Sequence, residues 1–206
     1  MFKAHPWHGV PAGLDAPSLV NAYIEIVPTD TVKYEIDKET GHLRVDRPQK
    51  YSNQCPAAYG FVPRTYCGDR VARRCEERAG KTGIHGDGDP LDILVLTEKT
   101  LTHGDILVRA VPIGGLRMID KNESDDKIIA VLHQDAMYGG WGDISVCPAR
   151  VLDRLKHYFL TYKDLPEEEH RRVEIAEVFD AVEARQIISF AMEDYLDLER
   201  KNGAKI

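Results

Sequence analysis

The sequence predicts an α+β fold, a small sheet or β-barrel with helices packed against it afterwards. Three observations carry this. Short apolar runs, some alternating with period two, fill the chain from Tyr23 to Leu132. None alternates with a long helical pattern, which disfavours repeated β-α-β units and points to antiparallel pairing. Helical spacing of apolar residues begins late, after Pro148.

The opening, through Leu19, is rich in Pro, Gly and Ala and reads as an irregular arm of about residues 1–20. Tyr23–Val27 alternates imperfectly, and Val32–Asp37 alternates strictly. Lys33, Glu35 and Asp37 therefore share one strand face, with Val32, Tyr34 and Ile36 on the other. Glu39-Thr40-Gly41 turns the chain into Leu43–Val45, completing a hairpin. Further strands are expected at Asp92–Leu96, Asp105–Val111, Leu116–Met118 and Lys127–Leu132, with Gly114-Gly115 separating the middle pair. Pro148 suits a first helical position. Val151, Leu155, Tyr158, Phe159 and Tyr162 then form an apolar stripe. Asp180 with Glu183 makes a capping box for a second helix, whose stripe is Ala184, Ile187, Ile188, Ala191, Tyr195 and Leu198. Gly203 is its expected stop.

A chain of 206 residues can bury a core without staples and is read as one domain, 1–206. Its 34 acidic against 27 basic residues give a net charge of −7, a field that disfavours nucleic acid. The longest aliphatic run, Ile128–Leu132, is far short of a membrane span, and Met1–Val10 lacks the apolar segment of a secretory leader. The expectation is a cytoplasmic protein without membrane contact, in which Cys55, Cys67, Cys75 and Cys147 are thiols.

Asp87-Gly88-Asp89-Pro90-Leu91-Asp92 sets three carboxylates in six residues, immediately before an aliphatic strand. On a solvated loop such a run is ordinary. Here Pro90 stiffens the turn, and an acid entering a core strand needs a partner, commonly a cation. Oxygen donors without nearby Cys or His suit Mg²⁺, Mn²⁺ or Ca²⁺. An EF-hand is rejected, because its sixth loop position would be Asp92 rather than Gly and a strand would replace the exiting helix. A second acidic group, Asp120 to Lys127, lies between two expected strands and could complete a polynuclear site. Bound cations would also reverse the local field and admit an anionic substrate.

Asp87–Asp92 matches the D-x-D-P-x-D signature of family I soluble inorganic pyrophosphatases. Other segments resemble the family in the same order: Glu25 in an I-E-I strand, Lys33–Lys38 like K-Y-E-x-D-K, Val45-Asp46-Arg47, Tyr59–Pro63 like Y-G-F-x-P, the Asp120–Lys127 loop, and Tyr162–Leu165 like Y-K-D-L. The resemblance spans about Asn21 to Val182. It implies a five-stranded OB-like barrel flanked by helices, and hydrolysis of diphosphate by direct in-line attack of a metal-activated water. It implies several Mg²⁺ ions, replaceable by Mn²⁺ or Zn²⁺, on Asp87, Asp92, Asp120, Asp125 and Glu35. Lys33, Arg47, Lys127, Tyr162 and Lys163 would hold the phosphates, Asp89 would accept the water proton, and Tyr59 and Glu25 would support the water network. The family also implies a homo-oligomer.

The pattern departs from the family at Ala58, where Asn is usual, at Cys55 in place of an aromatic, and at Lys121, where an acid is frequent. Residues 67–85 read as an insert, expected as a surface hairpin or loop with free thiols. Gly80-Lys81-Thr82 within it lacks the first glycine of a P-loop, and Cys67, Cys75 and His85 lack zinc-finger spacing and a fourth ligand. Two rival functions remain weaker: an OB-fold nucleic-acid binder, which needs a basic aromatic groove, and a broader metal-dependent phosphohydrolase.

Overall fold

The computed structural model describes residues 3–50, 52–163 and 173–203. The expected hairpin forms as β1's neighbour in sequence: after β1 (Val20–Ile26), β2 (Val32–Ile36) and β3 (Leu43–Pro48) pair as a separate two-stranded sheet. An eight-stranded sheet holds β1, β4 (Ala58–Phe61), β5 (His85–Gly86), β6 (Asp92–Leu96), β7 (Ile106–Asp120), β8 (Glu123–Ser124), β9 (Lys127–Leu132) and β10 (Val173–Asp180). Within it, β1 pairs with β4, β4 with β6, β6 with β9, β9 with β7, and β7 with β1, so these strands form a closed circuit of pairings.

Burial follows the period-two logic. Ile93 and Val95 of β6, with Ile128 and Ala130 of β9, enter one core cluster. Leu94, Leu96, Ile129 and Val131 point the other way into a second. Past their first residues these strands are apolar because both faces are covered, and each Ile, Leu or Val side chain contributes about 1.5–3 kcal/mol by leaving water. The first cluster is closed by Ala184, Ile187, Ile188 and Ala191 of α3 (Ala181–Gly203). The second is closed by Leu155, Tyr158 and Phe159 of α2 (Ala149–Thr161) and by Tyr162 at its C-cap. The stripes read from the sequence thus face the core, and the Asp180 cap is made: its carboxylate accepts the Glu183 N–H at 2.9 Å. Pro148 stands one position outside α2 rather than inside it.

Three expectations are corrected. The expected strands at Asp105–Val111 and Leu116–Met118 are one strand, β7, which begins at Ile106. Its register against β9 shifts between Pro112 and Gly114, where Gly114 takes φ 157°, so the glycine bends the strand without ending it. Pairing is not purely antiparallel, because β6–β9 and β5–β8 are parallel. Residues 67–85 are not a surface hairpin: Asp69–Ala79 is an amphipathic helix, α1, with Val71, Ala72 and Cys75 buried. All four cysteines are free but buried. Gly80 of the P-loop-like triplet is α1's left-handed C-cap.

α1 is docked by charge. Asp194 of α3 caps its N-terminus, accepting from the N–H groups of Arg70 (3.0 Å) and Val71 (3.3 Å), and it also binds the Arg70 guanidinium at 2.8 Å. Arg74 donates twice to Glu183, at 2.9 and 2.6 Å. Glu183 also receives Arg117, a β7 side chain with 0% exposure, at 2.7 Å. Burial alone would raise the Glu183 carboxyl, but the bonds from Arg74 and Arg117 outweigh it and hold the group below its ordinary value. Its stabilisation is therefore present above the unfolded glutamate value and lost as pH falls through the lower folded one. Glu183→Ala should destabilise the fold by about 2 kcal/mol or more near neutral pH, by leaving Arg117 underpaired. Urea unfolding should show that gap narrowing below about pH 4; a pH-independent gap would refute the ion-pair account.

Candidate active site

Two parallel registers bring the separate acidic loops together. β5 pairs with β8 so that Gly86 faces Ser124, and the next residues are Asp87 and Asp125. β6 pairs with β9 so that Asp92 faces Lys127. Gly86 lets β5 pass close against the chain at Cys67, since a Cβ there would stand 2.1 Å from the Cys67 carbonyl oxygen. The loop between is tied down by Cys67, whose N–H donates to the Asp89 carbonyl at 2.8 Å, and by Asp87, whose carboxylate accepts the Asp89 N–H at 2.9 Å.

The result is a cavity of about 200 Å³ beneath these loops. Its wall includes the expected Glu25, Lys33, Glu35, Arg47, Tyr59, Asp87, Asp89, Asp92, Asp125, Lys127, Tyr162 and Lys163. Asp120 does not line it but binds the Lys163 ammonium from behind. Asp164 and Leu165 of the Y-K-D-L match lie outside the described residues. Lys33 and Glu35 face the cavity together, as the alternation predicts. Asp37 instead serves the hairpin turn, accepting from Thr40 N and Oγ1 at 2.8 Å each. Sequence reasoning gave no role to Lys38, which lines the cavity and pairs with Asp89. Its motif was visible, but strand parity stops informing where β2 ends at Ile36. It also passed over Asp46, which binds Lys33 at 3.2 Å and Arg47 at 2.7 Å.

Lys127 is the buried cation of the cluster, 2% exposed, donating to both Asp92 and Asp125 with the Phe159 ring 5.7 Å away. Burial would lower its ammonium, but Asp125 and Asp92 outweigh it and hold it raised. Tyr59 donates its hydroxyl to Asp92 at 2.6 Å, and burial with the Asp92 charge keeps that phenol protonated. Burial, reinforced by the Asp125 charge, pushes Asp87 up to about 8. Burial also raises Asp125 despite Lys127. Glu25 is pushed to about 8 by burial, although its Oε1 accepts the Ile36 N–H at 2.7 Å.

Among the described residues no three Asp, Glu, His or Cys side chains converge, as placed, around a single point suited to an ion. The donor chemistry nevertheless fits a hard divalent cation. Asp87, Asp92 and Asp125 line one cavity with carboxylate oxygen alone, one lysine serves two of them, and the buried Oδ1 of Asp120 has no hydrogen-bond partner among the described residues. Lys127→Met should lower the unfolding temperature in chelator, and Mg²⁺ should raise it more in the variant than in the unmodified protein, by replacing the lost charge. Scanning calorimetry with and without Mg²⁺ tests this; equal shifts would show that ion and lysine do not share these acids.

No described helix is long and apolar enough to cross a membrane. Residues 22–196 match the family model described as inorganic pyrophosphatase. The chain is 52% identical over 199 residues to the inorganic pyrophosphatase of Chlamydia trachomatis, covering 95% of each. It is 39% identical to the soluble inorganic pyrophosphatase of Zea mays over 93% of this chain and 79% of that one. Among solved structures, it is similar to the inorganic pyrophosphatase of Thermus thermophilus with a TM-score of 0.77 at 28% identity, covering 94% of this chain and 99% of that one. For the Helicobacter pylori enzyme the TM-score is 0.73 at 32% identity, with coverage of 91% and 98%. With that match running from β1 into α3 and enclosing the whole carboxylate cavity, the chain belongs to the inorganic pyrophosphatase family.

Proposed function

We propose that this protein is a Mg²⁺-dependent inorganic pyrophosphatase that hydrolyses diphosphate to two orthophosphates in the carboxylate cavity. The observation that carries the reading is the meeting, in one small cavity, of oxygen-only acids with Lys33, Arg47, Lys127 and Lys163. Its volume of about 200 Å³ is below the roughly 300–1,000 Å³ of sites for larger organic ligands. That favours a small anion over the nucleotide or sugar phosphate of a broader phosphohydrolase.

On this reading Asp87, Asp92 and Asp125 hold one Mg²⁺, Asp92 shares a second, Asp120 with Asp125 takes a third, and Glu35 supports a further one; Mn²⁺ or Zn²⁺ can substitute. Bound Mg²⁺ supplies Lewis acidity, eases deprotonation of the attacking water and neutralises phosphate charge. Lys33, Arg47, Lys127, Tyr162 and Lys163 grip the phosphate oxygens. Tyr59 keeps Asp92 oriented, and Glu25, bonded to the β2 backbone, borders the water. Water attacks one phosphorus in line, its proton passes to Asp89, and the bond from that phosphorus to the bridging oxygen breaks. Orthophosphate leaves, and no covalent enzyme intermediate is needed.

The closed circuit of β1, β4, β6, β9 and β7 is read as the OB-like barrel, the whole chain 1–206 as one domain, and 67–85 as an insert that braces it. A cytoplasmic homo-oligomer is the assembly proposed. Purified protein should release phosphate from diphosphate rapidly with Mg²⁺, slowly from ATP, and not in excess chelator. Asp89→Asn should cut turnover about a hundredfold or more while the unfolding midpoint stays unchanged. Absence of release from folded protein with Mg²⁺, Mn²⁺ or Zn²⁺ would overturn the function; near-normal turnover of the variant would remove Asp89 from the base role.

A further inference from the structure

We propose that Lys38 is a positioning residue for Asp89, holding that carboxylate toward the cavity; the proposal rests on the reading of Asp89 as proton acceptor. Lys38 lies just past β2, and its ammonium pairs with Asp89, 51 positions further along the chain. Among the described residues it is the one side chain bonded to the Asp89 carboxylate. The Asp89 main chain is fixed by Cys67 and Asp87, but its side chain is 43% exposed at the cavity mouth. A carboxylate in that position has rotational freedom that a charge-assisted bond would restrict.

The other cavity cations are committed elsewhere. Lys33 is bound to Glu35 at 2.9 Å and Asp46 at 3.2 Å, Lys127 to Asp92 and Asp125, Lys163 to Asp120, and Arg47 to Asp46. Lys38 is thus distinguished by its partner rather than by its charge.

Its backbone is anchored from two sides. Asp37 N–H donates to the His42 carbonyl at 2.8 Å, and Gly41 N–H donates to the Asp37 carbonyl at 2.7 Å, fixing the turn. The Lys38 carbonyl lies 3.2 Å from His5 Nε2. His5 Nδ1 accepts from the N–H groups of Trp7 (3.2 Å) and His8 (3.3 Å), so Nε2 carries the proton and donates to Lys38. Trp7 is buried, and its indole donates to the Thr65 carbonyl at 2.8 Å. The amino-terminal arm therefore fixes the point from which Lys38 reaches Asp89.

An exposed ion pair of this kind adds little stability, so its effect should appear in turnover. Steady-state kinetics on the full chain should compare Lys38→Met, Lys38→Arg, Asp89→Asn and the Asp89→Asn/Lys38→Met double variant. Lys38→Met should lower kcat about tenfold with KM for Mg²⁺-diphosphate nearly unchanged, the mark of a misplaced catalytic group. Lys38→Arg should recover most of the loss, and the unfolding midpoint should not move. In the Asp89→Asn background, Lys38→Met should cost nothing further. A raised KM at unchanged kcat would make Lys38 a direct phosphate ligand and overturn the proposal, as would equal losses in both backgrounds. A crippled Asp89→Asn beside an unimpaired Lys38→Met sinks the role of Lys38 alone; an active Asp89→Asn sinks the reading of Asp89 beneath it.

Discussion

The ammonium of Lys127, buried between Asp92 and Asp125, is the interaction on which the site depends. Buried carboxylates at close range repel one another and resist ionisation, and nearby positive charge offsets both effects. The pairing is set by backbone register, since Asp92 and Lys127 are direct partners across β6 and β9. The same logic, through Gly86 and Ser124, delivers Asp87 beside Asp125. A slip of one residue in either pair would turn these charges to the opposite face. The apolar alternation that fills the two cores therefore also fixes the acids, because one register serves both.

The rest of the cavity is brought to this frame by pieces with separate anchors. The β2–β3 hairpin carries Lys33, Glu35 and Arg47 yet pairs with no strand of the main sheet. A free two-stranded hairpin is marginal in water. Here it is held by the bond from Ile36 N–H to Glu25 and by packing of Ile36 and Leu43 with Trp7, Tyr23, Phe61 and Tyr195. α2 delivers Tyr162 and Lys163 at its carboxyl end. α1, through Cys67 just before it, ties down the Asp89 loop. The cavity cations Lys33, Arg47 and Lys163 thus come from elements other than the strands that carry the central acids, whereas Lys127 belongs to β9 itself.

Much of this was legible in the sequence, and the remainder fails for identifiable reasons. The hairpin and both long helices follow from periodicity and capping, because each buries a regular face, while β6 and β9 follow from short aliphatic runs buried on both faces. The Asp87–Asp92 run and the matched Lys and Arg positions lie in the cavity wall, with Asp120 behind it, while the roles assigned to them are proposals. β4 has four residues, too few for a period to register. β10 does show alternation at Val173 and Ile175, but its register shifts before Glu177 and blurs the pattern. α1 was misread because its polar face dominates its composition. What makes it a helix is the tertiary partnership of Asp194, Glu183 and a small apolar face. Parallel pairing could not be read locally, since it joins segments whose neighbours are set by the whole topology.

Charge accounting links the parts. The cavity wall carries Glu25, Glu35, Asp87, Asp89, Asp92 and Asp125 against Lys33, Lys38, Arg47, Lys127 and Lys163. The cations are already bonded to acids, either in this wall or immediately behind it. A diphosphate that recruits a lysine therefore strips a carboxylate of its partner, and in a buried site that carboxylate must be compensated again. On the proposed function, the acids would hold divalent cations, which would supply that compensation while the lysines turn to phosphate. Metal and substrate must then bind with positive coupling, each raising the affinity for the other by the same factor. On that reading the excess of acid, which at first argues against an anionic substrate, would be the means by which the site admits one in company with a metal.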